Sequence, residues 1–155
     1  RSGVRVCATE EKRENTAAVH WLGTEQILGF TGGEHDYTGR CTPELSGPMH
    51  ILSSSPHMHK RGRHMSSIVR RNDGSTDVLI DKEFDFENQV IYETPMTIHP
   101  GDVIDTTCTF NNPDGLFHFG PRTEDEMCYN FVVAWPVGGM ETGGSLVGVR
   151  HGCLR

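Results

Sequence analysis

Short runs of β-branched, aromatic and aliphatic residues recur along the chain, separated by Gly-, Pro- and Asn/Asp-rich breaks. Met49–Ser55, His64–Arg71, Thr76–Asp81, Asp102–Phe110 and Met127–Trp135 are the clearest predicted strands. Gly3–Cys7, Glu25–Phe30, Gln89–Tyr92 and Met96–Ile98 are shorter candidates. Asn72-Asp73-Gly74-Ser75 predicts a hairpin turn between two of them. Pro100-Gly101 and Asn111-Asn112-Pro113-Asp114-Gly115 end others. The charged stretch from Thr9 to Ala18 has no apolar stripe at helical spacing and reads as a solvated loop. Turns about every 8 to 12 residues without helical spacers predict an all-β, antiparallel jelly-roll β-sandwich.

Composition agrees with that pattern. The 155 residues suit one domain, 1–155, with the glycine-rich tail around Gly138-Gly139 and Gly143-Gly144 as a loop. A hydrophobic share of 35% beside 18 glycines and 8 prolines favours many turns over long helices. A net charge of −7 argues against a nucleic-acid footprint. No apolar run approaches the ~20 residues needed to span a bilayer. The chain starts at Arg1-Ser2-Gly3-Val4 with no signal-peptide pattern, as mature or excised protein would.

Five cysteines, Cys7, Cys41, Cys108, Cys128 and Cys153, include no Cys-x-x-Cys pair. Disulfides in an oxidising compartment, extracellular or periplasmic, are therefore expected, with one thiol left over.

The candidate chemistry lies in Ser55-Pro56-His57-Met58-His59-Lys60. On a strand, residues i and i+2 point to the same side, so His57 and His59 can face one metal ion. Met58 points away from it. Met127, opening the last long strand after Glu124-Asp125-Glu126, is a candidate thioether ligand from a second strand. Two imidazoles and a soft sulfur favour copper. Adding His64 would make a cupin-like site, but Lys60, Arg61, Gly62 and Arg63 stand where that pattern needs a carboxylate. His20, His35, His118 and His151 have no partner at ligand spacing.

Gly47-Pro48-Met49-His50, Pro56-His57-Met58-His59, Gly101-Asp102, Thr106-Thr107-Cys108-Thr109-Phe110 and Thr123-Glu124-Asp125-Glu126-Met127-Cys128 run in that order. Together they resemble the C-terminal domain of the copper type II, ascorbate-dependent monooxygenases, the family of peptidylglycine α-hydroxylating and dopamine β-monooxygenases. Over the first 40 residues the likeness is weaker. The resemblance implies one copper held by His57, His59 and Met127, with disulfides Cys108–Cys128 and Cys41–Cys153. It also implies hydroxylation of a C–H bond in a small-molecule substrate with O2, ascorbate supplying electrons through a second copper. His50, Ser55 and Tyr129 are candidates for orienting the imidazoles.

Three departures from the pattern are visible. The second copper belongs to an N-terminal domain with an adjacent His-His pair, and no such dipeptide occurs here. The peptide-hydroxylating relatives carry an arginine two residues before the first histidine, where this chain has Ser55. They carry Asn and Tyr where it has Tyr129 and Phe131. Peptidylglycine is therefore not the expected substrate. Without the second domain the chain is expected to turn over poorly, and a non-catalytic copper-binding or interaction module is the alternative.

Overall fold

The computed structural model describes residues 2–29, 32–113, 115–137, 140 and 152–154. Among these there are eleven strands and no helix. They are β1 (Ala18–Thr24), β2 (Leu28–Gly29), β3 (Gly33–Cys41), β4 (Met49–His57), β5 (Gly62–Arg70) and β6 (Thr76–Glu83). The remainder are β7 (Tyr92–Ile98), β8 (Val103–Asn112), β9 (Phe117–His118), β10 (Cys128–Trp135) and β11 (Gly152–Leu154). A five-stranded sheet, β11-β1-β10-β4-β7, packs on a four-stranded sheet, β3-β8-β5-β6. Pairing is antiparallel throughout both sheets except between β1 and β11. The chain is thus an all-β sandwich.

Strand alternation explains which residues meet between the sheets. Along β10, Cys128, Asn130, Val132 and Ala134 are fully buried, and Phe131, Val133 and Trp135 are only partly covered on the other face. On β4 the phase changes partway. Met49 and Ile51 point inward, but Ile51 pairs with Ala134 and Ser53 with the next residue, Val133. Leu52 is therefore an extra residue, a β-bulge, and it is 44% exposed. Beyond it Ser54, Pro56 and Met58 become the inward set, and His57 and His59 belong to the outer face.

Two apolar clusters occupy the interior. One contains Leu22, Met49, Ile51, Val69, Ile98, Ile104, Val132 and Ala134. The other contains Ile27, Met58, Met65, Phe110 and Phe117. Between them lies a polar layer, where the Asn130 amide donates to Ser67 Oγ at 3.1 Å and Ser54 Oγ at 3.4 Å. The Ser67 hydroxyl also meets Thr106, at 2.9 Å, and Ser54 meets Thr94, at 2.8 Å. Each cluster contains a disulfide joining one sheet to the other. Cys41 on β3 is bonded to Cys153 on β11, Cα atoms 5.1 Å apart. Cys108 on β8 is bonded to Cys128 on β10, Cα atoms 5.8 Å apart. Cys7 is exposed and is in neither disulfide. Near the second disulfide, Gly39 lies against the Gly23 carbonyl, and a Cβ there would collide with it.

Several elements differ from their sequence-based prediction. Gly3–Cys7 is not a strand: Val4 and Val6 are 90% and 78% exposed, with no apolar face to bury. Glu25–Phe30 shrinks to β2, because Ile27 enters the core from a turn closed by its own N–H on the Glu25 carbonyl; Phe30 is outside the described residues. Strands β1 and β3 were not predicted. β3, Gly-Glu-His-Asp-Tyr-Thr-Gly-Arg-Cys, is an edge strand whose polar face lies in water, so its composition resembles a loop. Of the candidate Gln89–Tyr92 only Tyr92 is in a strand, where it opens β7. That strand runs on through Pro95 to include the candidate Met96–Ile98, and proline is tolerated there because β7 is an edge. The tail glycines 138, 139, 143 and 144, and His151, lie outside the described residues.

Candidate metal centre

His57 closes β4 and His59 follows two residues later, both on the outer face of the five-stranded sheet. Their ring centroids are 5.4 Å apart and the planes are perpendicular. Each ring is held through Nδ1. His57 Nδ1–H donates to Gln89 Oε1 at 3.0 Å, while the Gln89 amide nitrogen reaches the Phe86 carbonyl at 3.3 Å. His59 Nδ1–H donates to the backbone carbonyl of Asp125 at 2.9 Å. With both Nδ1 atoms donating, each Nε2 keeps the lone pair that a metal requires, and among the described residues neither has a hydrogen-bond partner. Burial holds the His57 pKa below its ordinary value and His59 nearby lowers it further, against the opposing bond to Gln89. The neutral, ligating form of His57 is therefore favoured.

Met127 immediately precedes β10. Tyr129 is paired with His57, and continuing that antiparallel register by two residues sets Met127 opposite His59. Cys128 points inward to its disulfide, so Met127 belongs to the outer face with Tyr129 and Phe131. The chain thus brings the three sequence-predicted ligands to one face at one end of the sheet.

A buried carboxylate ties the two segments together. Glu126 is fully buried and accepts the backbone N–H groups of His59 at 2.9 Å and Arg61 at 2.8 Å. Burial raises its pKa, opposed by those two donors. The turn before it is braced by Arg122, whose guanidinium grips Asp125 at 2.9 and 3.0 Å. Residues 59–61 and 124–126 are therefore tied together by hydrogen bonds, which keeps the Asp125 carbonyl at His59 Nδ1.

An apolar cavity of about 260 Å³ adjoins this face, lined by Trp21, Phe119, Pro121, Met127, Tyr129 and Phe131. The Phe131 ring lies 5.4 Å from the His57 ring. The Tyr129 hydroxyl donates to Glu25 at 2.9 Å. Burial first, then that carboxylate, raise its pKa well above the ordinary phenol value.

Other sequence candidates lie elsewhere. His64 Nε2 is 2.7 Å from Asp81 on the four-stranded sheet, so it does not join His57 and His59 in a cupin-like triad. His50 bonds Thr97 at 3.1 Å and packs on Trp135 at the opposite end of β4, too far along the strand to orient the pair. Ser55 stands opposite Phe131, on the site's face. Sequence reasoning missed Gln89, the Asp125 carbonyl and Trp21. Only the spacing of Met127, Tyr129 and Phe131, alternate residues of one strand, could have pointed to part of the cavity.

Residues 15–147 match the family described as copper type II ascorbate-dependent monooxygenase, C-terminal domain. Dopamine beta-hydroxylase of Equus caballus is 29% identical over 150 residues, covering 87% of this chain and 25% of that protein. The Homo sapiens protein of the same name is 28% identical, with coverage of 87% and 24%. DBH-like monooxygenase protein 1 of Gallus gallus is 28% identical over 153 residues, covering 87% and 25%. The chain spans about a quarter of the length of these relatives. Among solved structures, the T=1 particles derived from infectious bursal virus align with a TM-score of 0.40 and 10% identity, over 84% of this chain and 33% of that one.

Proposed function

The chain belongs to the copper type II, ascorbate-dependent monooxygenase family, matching its C-terminal domain, and on that premise we propose that it holds one catalytic copper through His57, His59 and Met127. The observation that carries this reading is the paired orientation of the imidazoles. Both Nδ1 atoms are engaged, both Nε2 atoms are available, and the Met127 segment runs opposite them on the same face. Copper bound there would supply the redox chemistry of R–H + O2 + 2e⁻ + 2H⁺ → R–OH + H2O, with ascorbate as the electron donor.

The chain's own residues would serve that chemistry in distinct ways. Gln89 and the Asp125 carbonyl fix the tautomer and aim of each imidazole. A thioether is a soft donor, so Met127 would favour Cu(I) over Cu(II). Glu126 keeps the histidine turn and the methionine turn in register. The rings of Trp21, Phe119, Tyr129 and Phe131 keep water from one side of the centre.

Residues 1–155 act in this reading as one catalytic domain of a longer enzyme. The chain has no His-His pair of the kind that would hold the second copper, so electrons would have to be delivered from a companion N-terminal domain. Alone, it turns over poorly. Ser55 in place of an arginine leaves no clamp for a peptide carboxylate beside His57, so peptidylglycine is not the substrate. Two disulfides fit an exported protein, extracellular or periplasmic. That same missing clamp also favours a second reading, a copper-binding or docking module without chemistry. Ascorbate-driven oxygen consumption by the copper-loaded chain, above a free-copper control, separates the two.

The primary test is titration of the metal-free chain with Cu(I) and Cu(II), followed by X-ray absorption of wild type and Met127→Ile. One Cu(I) per chain with a sulfur scatterer that disappears in the variant is expected. Nitrogen-only ligation in the wild type would remove Met127 from the centre, and absence of stoichiometric copper would end the reading.

A further inference from the structure

The cavity next to the histidine pair has a lining that selects by charge. Its walls are four aromatic rings, a proline and the Met127 side chain. Trp21 packs on Tyr129 at 5.2 Å and on Phe131 at 5.4 Å, and Tyr129 lies 6.0 Å from Phe119. Among the lining side chains only Tyr129 and Trp21 carry an O–H or N–H group, both uncharged, and the Tyr129 hydroxyl is committed to Glu25. No Lys, Arg, Asp or Glu lines the cavity among the described residues.

Charge decides which molecules fit. A carboxylate would lose its water and find no cation. An ammonium ion would be attracted by the ring faces, but the lining offers it no carboxylate for an ion pair in exchange for its hydration. An uncharged apolar molecule gives up little in leaving water and gains contact with every wall. Size narrows the class further. A cavity of about 150 Å³ is enough to hold benzene, so 260 Å³ accommodates one ring with a short alkyl side chain.

Position links the cavity to the metal. Met127 is at once a wall of the cavity and the third member of the ligand set, and Phe131 packs against His57. The cavity therefore borders the histidine pair through Phe131 and Met127.

Resting on the copper reading above, we propose that this cavity is the substrate site and that its substrate is a neutral, single-ring alkylaromatic molecule. Recognition is by shape and desolvation, without an ionic anchor. That separates the chain from any relative that holds its substrate by a charged group.

The test is a binding measurement on the full chain, independent of turnover. Trp135→Phe leaves Trp21 as the sole tryptophan, since the chain has two. The metal-free protein is titrated with ethylbenzene, phenethylammonium and 3-phenylpropanoate, following Trp21 emission. Saturable binding of ethylbenzene is expected, at least tenfold tighter than either charged analogue. Phe131→Asp and Phe119→Glu, each checked by near-ultraviolet circular dichroism, should weaken it at least tenfold. If one variant does not fold, the other still decides. In the Cu(II)-loaded chain the ethyl protons of bound ethylbenzene should broaden beyond what the Zn(II)-loaded chain shows. Failure of ethylbenzene to bind a chain that takes copper with a sulfur ligand would overturn this inference and leave the copper reading standing. Tighter binding of phenethylammonium would overturn the substrate class. Ethylbenzene binding in a chain that takes no copper would support the ligand class and remove the metal reading beneath it.

Discussion

At one end of the sandwich interior Leu22, Met49, Ile51, Ile98, Ile104 and Val132 pack around the Cys41–Cys153 disulfide. At the other, Met58, Met65, Phe110 and Phe117 pack around Cys108–Cys128, separated from the first by the Asn130 layer. Both ends join the same two sheets with one disulfide. They differ in what lies one residue away along the backbone. At the first end the neighbours of core residues are surface positions such as Leu52 and Val133. At the second, Met58 sits between the two candidate ligand histidines, and Cys128 follows Met127. There the packing of the core and the geometry of the site are set by the same few peptide units. A core defect at the first end should cost stability alone, whereas one at the second should also displace the ligands.

The disulfides give the largest contrast. Replacing Cys41 and Cys153 with serine opens a link across 112 residues, and denaturant unfolding should show a loss of about 4 to 5 kcal/mol. Copper stoichiometry of the molecules that remain folded should not change. Replacing Cys108 and Cys128 opens a link across 20 residues and should cost less, about 3 kcal/mol. It should nevertheless weaken Cu(I) binding at least tenfold, because Met127 loses its anchored neighbour. Equal copper affinity in the two variants would break the comparison.

A matched pair of methionines sharpens it. Met49→Ala and Met58→Ala each empty a fully buried position and should each cost about 2 to 3 kcal/mol. Equilibrium unfolding and copper titration should together show that only Met58→Ala lowers copper affinity.

The smallest effect concerns the layer between the clusters. Asn130→Val removes the amide that bridges Ser54 and Ser67, but those hydroxyls keep Thr94 and Thr106. A loss of about 1 kcal/mol, with copper affinity unchanged, would show that the two ends are separable; a large shift in affinity would show that the layer couples them.

Much of the frame was legible in the chain itself. Strands β4, β5, β6, β8 and β10 carry short runs of apolar and β-branched residues (alternating in β10, contiguous as Val78-Leu79-Ile80 in β6) with turn residues between them, and both signals survive folding. β1 and β3 were not read. β1 is a single short segment containing a histidine and a glycine, and β3 is an edge strand with few apolar residues. The disulfide pairings came with the family resemblance and could not be chosen from spacing. Gln89 reaches His57 from the link between β6 and β7, and Trp21 reaches the cavity from β1, both by sheet pairing across tens of residues. Side chains brought together that way leave no local pattern.

His57, Met58 and His59 show where the division falls. A strand repeats every two residues, so the sequence by itself determined that the two imidazoles share a side and that Met58 takes the other. Which side is the core was decided by Leu52. That one additional residue in β4, opposite β10, reverses the phase and moves the histidines from the interior to the outer face. A bulge exists only relative to a partner strand, because register is a property of two strands paired in space, so the tertiary structure alone could place the pair beside Met127 and the aromatic cavity.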